Sequence, residues 1–142
     1  MMDNLNLKMK KVMAFGSFDI LHDGHEHYLR EAKSYGDYLV VVVARDSNIL
    51  RFKGRNPKND ENYRLEQVKE LGFVDEAVLG HKEDILEVLD EFKPDVICLG
   101  YDQRTVDKEK LRKELIKRNL KAEIIRAKPY KEDVYKSSKL GQ

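Results

Sequence analysis

The chain is predicted to be an α/β domain of three layers, doubly wound on a five-stranded parallel sheet. Three observations predict it. Short apolar stretches alternate with longer segments of helical periodicity along the 142 residues. The stretch Tyr38 to Ala44, YLVVVVA, is continuously apolar rather than alternating. A strand of that kind is covered by helices on both faces, which is the usual setting of parallel strands. No repeat or low-complexity tract interrupts the alternation, and right-handed crossovers then place helices on both sides of one sheet.

Residues 1–9 read as a flexible lead-in and 10–142 as a single domain. Lys10 to Gly16 is the first strand. From His25 to Tyr35, the residues Tyr28, Leu29, Ala32 and Tyr35 share a helical face, and Gly36 supplies the stop. Tyr38 to Ala44 is the second strand. Arg45 to Asn59 is expected to be a long basic loop carrying Arg45, Arg51, Lys53, Arg55 and Lys58, with Gly54 and Pro57 as turn formers. A loop of that length is either functional or a solvated excursion.

Asp60 is suited to cap a helix from Glu61 to Leu71, with Tyr63, Leu65, Val68 and Leu71 inward and Gly72 beyond its end. Asp75 to Gly80 is a third strand. Ile85, Val88, Leu89 and Phe92 have the i, i+3, i+4, i+7 spacing of another helix, closed by Pro94. Asp95 to Gly100 is a fourth strand, followed at once by Tyr101-Asp102-Gln103. Val106 to Asn119 is a charged helix with Glu109–Lys113 and Glu114–Arg118 pairs and a thin inner side of Leu111, Leu115 and Ile116. Ala122 to Ala127 is the fifth strand, and the tail runs through Pro129 to Ser137-Ser138-Lys139.

Composition narrows the function. Lys and Arg number 27 against 26 Asp and Glu, a net charge of +1. No global field therefore favours nucleic acid or an anionic membrane as partner. Charged residues make up 37% of the chain, a mixed surface also seen in some thermophile proteins. The apolar run Leu39 to Ala44 is too short to span a bilayer, and the polar start MMDNLNLKMK has no signal-peptide core, so a cytoplasmic location is expected. The single cysteine, Cys98, sits between Ile97 and Leu99 and reads as a small buried apolar residue.

The chemistry concentrates between the first strand and the first helix, in VMAFGSFDILHDGHEHYL. The opening N–H groups of a helix lack partners within it, and the peptide dipoles add partial positive charge there. His22 and His25 straddle that start at i and i+3, with Gly24 between them allowing close approach of a phosphate. The same spacing fits loop and capping histidines, or a His22, His25, His27 metal site. In a doubly wound sheet, ligands bind beyond the carboxyl ends of the strands where strand order reverses. His22–His25 and Tyr101–Asp102 should therefore border one crevice. The dinucleotide fingerprint G-x-G-x-x-G is absent.

Gly16-Ser17-Phe18-Asp19 followed by His22-Asp23-Gly24-His25 resembles the HxGH motif of the nucleotidylyltransferase superfamily that includes the cytidylyltransferases, with Ser17 where threonine is usual. The late Ser137-Ser138-Lys139 looks like the second family signature, although the sequence runs only to Gln142 after it. Leu99-Gly100-Tyr101-Asp102-Gln103, Ala44-Arg45-Asp46-Ser47 and Asp60-Glu61-Asn62 look like the branch containing archaeal FAD synthases.

The resemblance implies a Rossmann-like fold and transfer of a nucleotidyl group from a nucleoside triphosphate to a phosphorylated acceptor, with ATP and FMN preferred. A CTP-dependent glycerol-3-phosphate cytidylyltransferase is the alternative, and a non-catalytic nucleotide-binding module is a reading of another class. It further implies that His22 and His25 hydrogen-bond the triphosphate, that Lys53, or else Arg55, steadies a phosphate, and that Ser17, Phe18, Asp23 and Gly24 contact the nucleotide. Asp102 and Tyr130 would contribute to the ATP site; each also fits a structural role, as helix cap and packed loop aromatic. Ser137 and Ser138 would grip the outer phosphates. Mg²⁺ would accompany the nucleotide without a protein cage of its own. Relatives are often dimers, which implies a homodimer, and neither nucleic acid nor membrane is expected as a partner.

Overall fold

The computed structural model describes residues 9–103 and 106–129. Five strands, β1 (Lys11–Gly16), β2 (Tyr38–Val43), β3 (Glu76–Leu79), β4 (Val96–Leu99) and β5 (Glu123–Arg126), form one sheet in the order β3-β2-β1-β4-β5. Every pairing is parallel. The chain winds outward from β1 to β3, then crosses to the opposite side of β1 for β4 and β5. The expected doubly wound α/β sheet is thus observed, with its switch point between β1 and β4.

Helices α1 (Asp23–Ser34), α2 (Asp46–Lys53), α3 (Glu61–Lys69), α4 (Val88–Phe92) and α5 (Lys108–Lys117) connect the strands, and a 3₁₀ turn, Ile85–Glu87, leads into α4. The alternation of side chains along β1 divides the core. Val12 and Ala14 join Leu29 and Ala32 of α1 and Val68 of α3 on one face. Met13 and Phe15 join Val88 and Leu89 of α4 and Leu111 and Leu115 of α5 on the other. Each face buries a continuous apolar cluster, so the sheet is covered on both sides as the YLVVVV run of β2 requires. Cys98 is wholly buried on the first face, and desolvation pushes its thiol up to about 12. It is a packing residue with little thiolate character.

Four local expectations are corrected. The segment 45–59 is not one long loop: residues 46–53 form α2, ended by Gly54 in the left-handed conformation at φ 75°. Its irregular composition hides a helix whose buried side is only Asn48 and Ile49. In α3, Asp60 caps as expected, its carboxylate accepting the Tyr63 amide, but Tyr63 is exposed and Arg64 takes the inward position beside Val68. In α5, Ile116 is 79% exposed, so Leu111 and Leu115 alone form the inner side. Of its two expected ion pairs Glu114–Arg118 forms, whereas Glu109 lies 4.0 Å from Arg112 instead. Among the described residues, no helix is long and apolar enough to cross a membrane.

Candidate active site

The strand ends at the switch point open into a cavity of about 320 Å³. His22, Gly24 and His25 line its centre, beyond β1. Val42, Ala44, Ile49, Phe52, Lys53, Gly80 and Ile85 line the side toward β2 and β3; Gly100, Tyr101, Asp102, Gln103, Val106, Ala127 and Lys128 line the side toward β4 and β5. The two loops expected to share a crevice do so.

His22 is the N-cap of α1. Its extended backbone places Nδ1 3.0 Å from the Gly24 amide, from which it accepts a hydrogen bond. The proton of the neutral ring therefore sits on Nε2. The cap also occupies the Gly24 amide, so the imidazoles, rather than that amide, present the polar surface at this helix start. His25 stacks on His22 with centroids 3.9 Å apart and planes at 28°. Phe18 meets the His25 ring edge-on at 5.4 Å.

Burial sets the charge of this pair. Desolvation, the neighbouring His22 and the charge of Lys53 bring His25 down to about 3, against a smaller opposing contribution from the Ile20 backbone. His22 is lowered by desolvation, with Asp23 opposing. Both rings are neutral near pH 7. The negative charge of a bound polyphosphate would favour the protonated form of either ring.

The loop carrying the pair is held from two sides. Asp19 accepts the amides of Lys58 and Asn59, both at 2.8 Å. Arg64, at 0% exposure, donates to the Ser17 carbonyl at 2.8 Å, the Asn59 carbonyl at 2.9 Å and the Asp46 carboxylate at 2.7 Å. A buried guanidinium with every partner fixed makes a rigid brace. Tyr28 of α1 holds the floor: its hydroxyl donates to the Cys98 carbonyl at 2.7 Å and accepts the Phe15 amide at 3.3 Å. On the far side Arg126 donates to the carbonyls of Gly100 and Gln103, fixing the loop after β4.

Of the residues expected at the site, Ser17, Phe18, His22, Gly24, His25, Lys53 and Asp102 line the cavity. Asp23 and Arg55 are exposed and outside its lining. Asp102 does not cap the following helix; Asp107 does, through the Glu109 amide. Tyr130, Ser137 and Ser138 lie outside the described residues. Sequence reasoning missed Arg64, Tyr28 and Phe52. The i, i+4 spacing of Arg64 and Val68 was the available signal for the first, overridden by the habit of placing arginine outside.

Comparison with known proteins agrees with this fold. Proteins named FAD synthase are similar over most of the chain. That of Ferroglobus placidus is 53% identical over 125 residues, 88% of this chain and 80% of its own. That of Thermoplasma volcanium is 48% identical over 130 residues, 92% and 90%. A crystal structure described as the lipopolysaccharide core biosynthesis protein of Thermoplasma volcanium superposes with a TM-score of 0.81 at 50% identity, covering 87% of this chain and 99% of that one. Pantoate-β-alanine ligase of Francisella tularensis, at 15% identity and a TM-score of 0.60 over 87% of this chain and 61% of its own, shares the fold. With residues 13–141 matching the family model described as cytidylyltransferase-like, the chain belongs to that family and is a nucleotidyltransferase.

Proposed function

We propose that this enzyme makes FAD. A phosphate oxygen of FMN attacks the α-phosphorus of ATP, the bond from that phosphorus to the oxygen bridging to the β-phosphate breaks, and pyrophosphate leaves. The names and high identity of the relatives support this reading. The observation that carries it is the cavity itself, where the HxGH histidines, Lys53 and the Asp102 loop meet. No enzyme nucleophile is required, so catalysis rests on alignment and on stabilising charge that grows on the phosphates.

His22 and His25 would hydrogen-bond the triphosphate, and Lys53 would steady the α-phosphate or the acceptor phosphate. Ser17, Phe18, Gly24 and Asp102 would contact the nucleotide. Nucleotidyltransferases of this kind use a divalent cation, and we assign Mg²⁺. Among the described residues no group of three His, Cys, Asp or Glu could hold a metal, and Asp102 is the one carboxylate lining the cavity. That donor set fits a cation carried in by the nucleotide, which would neutralise the phosphates. We further propose that residues 10–142 act as one domain, in the cytoplasm, as a homodimer and without nucleic acid or membrane.

The test is to offer ATP and CTP, each with FMN, glycerol 3-phosphate, phosphocholine and inositol phosphate, with Mg²⁺, and to follow pyrophosphate. ATP with FMN is the expected productive pair. Turnover of CTP with a polyol phosphate, and none of ATP with FMN, would replace the substrates while leaving the reaction class intact.

A further inference from the structure

The two arms of the cavity differ in chemistry. Strand order places the histidines at the end of β1, so a polyphosphate held there divides the space into a β4–β5 arm and a β2–β3 arm. The first arm holds most of the polar groups, Tyr101, Asp102, Gln103 and Lys128, beside Val106 and Ala127. The second is walled mainly by Val42, Ile49, Ile85 and Phe52, with Asn48 and Lys53 as its polar members.

Phe52 is the unexplained member of that wall. It is 50% exposed although it stands on a helix whose neighbour Ile49 is buried. Its ring carries the Arg51 guanidinium at 5.1 Å, and Arg51 is itself anchored to Asn48 Oδ1 at 2.7 Å. Asn48 is in turn buried and donates to the His81 carbonyl. A half-exposed phenyl ring positioned through this chain of contacts, beside an apolar recess, is suited to receive a flat ring.

Resting on the FAD synthase reading, we propose that the β2–β3 arm is the acceptor subsite and that Phe52, with Ile49 and Ile85, is the platform for the fused ring of the flavin. The adjacent Lys53 then couples ring recognition to phosphate recognition on consecutive residues. Phe52 is a specificity residue: it selects a flat aromatic acceptor over a polyol phosphate and takes no part in bond making.

The chain contains no tryptophan, which makes a direct test available. In Phe52→Trp, saturating FMN should quench the emission of the sole tryptophan, in the presence of a non-hydrolysable ATP analogue. Phe52→Ala should raise the KM for FMN about tenfold, leaving the KM for ATP within twofold and kcat little changed. Phe52→Tyr should restore the FMN KM. Far-UV circular dichroism checks each fold. Wild-type protein that makes FAD, alongside a Phe52→Ala variant with an unaltered FMN KM, overturns the platform alone. Absence of quenching in a Phe52→Trp variant that still makes FAD overturns it too. Wild-type protein that makes no FAD from ATP and FMN removes the functional reading and the platform together.

Discussion

Phe18 folds its ring back over Gly16, so that a Cβ added at Gly16 would lie 2.5 Å from Phe18 Cζ. Phe18 itself adopts φ 54°, a left-handed conformation that costs a bulky residue about 1–3 kcal/mol. The strain is held because the ring is buried and braces His25. Gly16→Ala is expected to lower stability by about 1–3 kcal/mol through overpacking and to raise the KM for ATP. Denaturant titration and steady-state kinetics check the two effects.

Removing the imidazoles tests the chemistry. His22→Ala and His25→Ala should each lower kcat by about 10²–10³ with the fold intact, the range for losing one donor to developing charge. His22→Asn should keep more stability than His22→Ala, since asparagine can still cap α1. Pyrophosphate release and thermal melting separate catalytic from structural loss.

A neutral buried His25 has two pH consequences. Its folded value of about 3 lies below the unfolded 6.5, so the unfolded chain takes up the proton first. Stability from this group is intact above pH 6.5 and is lost as pH falls toward 3, with a slope of at most about 1.4 kcal/mol per unit. His25→Gln should flatten the denaturation midpoint against pH in that window. The negative charge of a bound triphosphate favours the imidazolium, so ATP binding at pH 6 should take up protons, seen as a buffer-dependent heat in calorimetry.

Arg64 braces three segments at once. Arg64→Met would leave the Ser17 and Asn59 carbonyls and the Asp46 carboxylate without their donor, and a loss of at least about 3 kcal/mol is expected. The expected readout beyond stability is a drop in kcat, because Ser17 belongs to the histidine loop. An unchanged denaturation midpoint would show that the brace is dispensable.

The two isoleucine and leucine neighbours on α5 should respond differently. Leu115→Ala is expected to cost about 2–5 kcal/mol, and Ile116→Lys within about 0.5 kcal/mol for a monomer. If this face seats a second copy, Ile116→Lys should lower the mass measured by light scattering.

Most of the architecture was legible because a parallel sheet writes itself as apolar runs between amphipathic segments. β2 and β4 announce themselves without flanking context. What stayed hidden depends on contacts distant in sequence. The periodicity of α2 is weak because it buries only one flank, so it reads as a loop. Arg64 reads as surface until Ser17, 47 positions earlier, is folded against it. The site was legible where one string contains it, as with His22 and His25, and illegible where it is assembled, as with Tyr28 and Phe52.

The hydroxyl of Tyr28 spans the seam at which β1 and β4 part company, beyond their last paired residues, Ala14 and Cys98. The first helix is thereby riveted to the centre of the sheet, and the histidines at its tip inherit that immobility. The short helix bearing Phe52 lies outside this junction and is tied instead through Arg51 and Asn48 to the His81 carbonyl. A single phenol oxygen thus ties the histidine-bearing helix to both central strands.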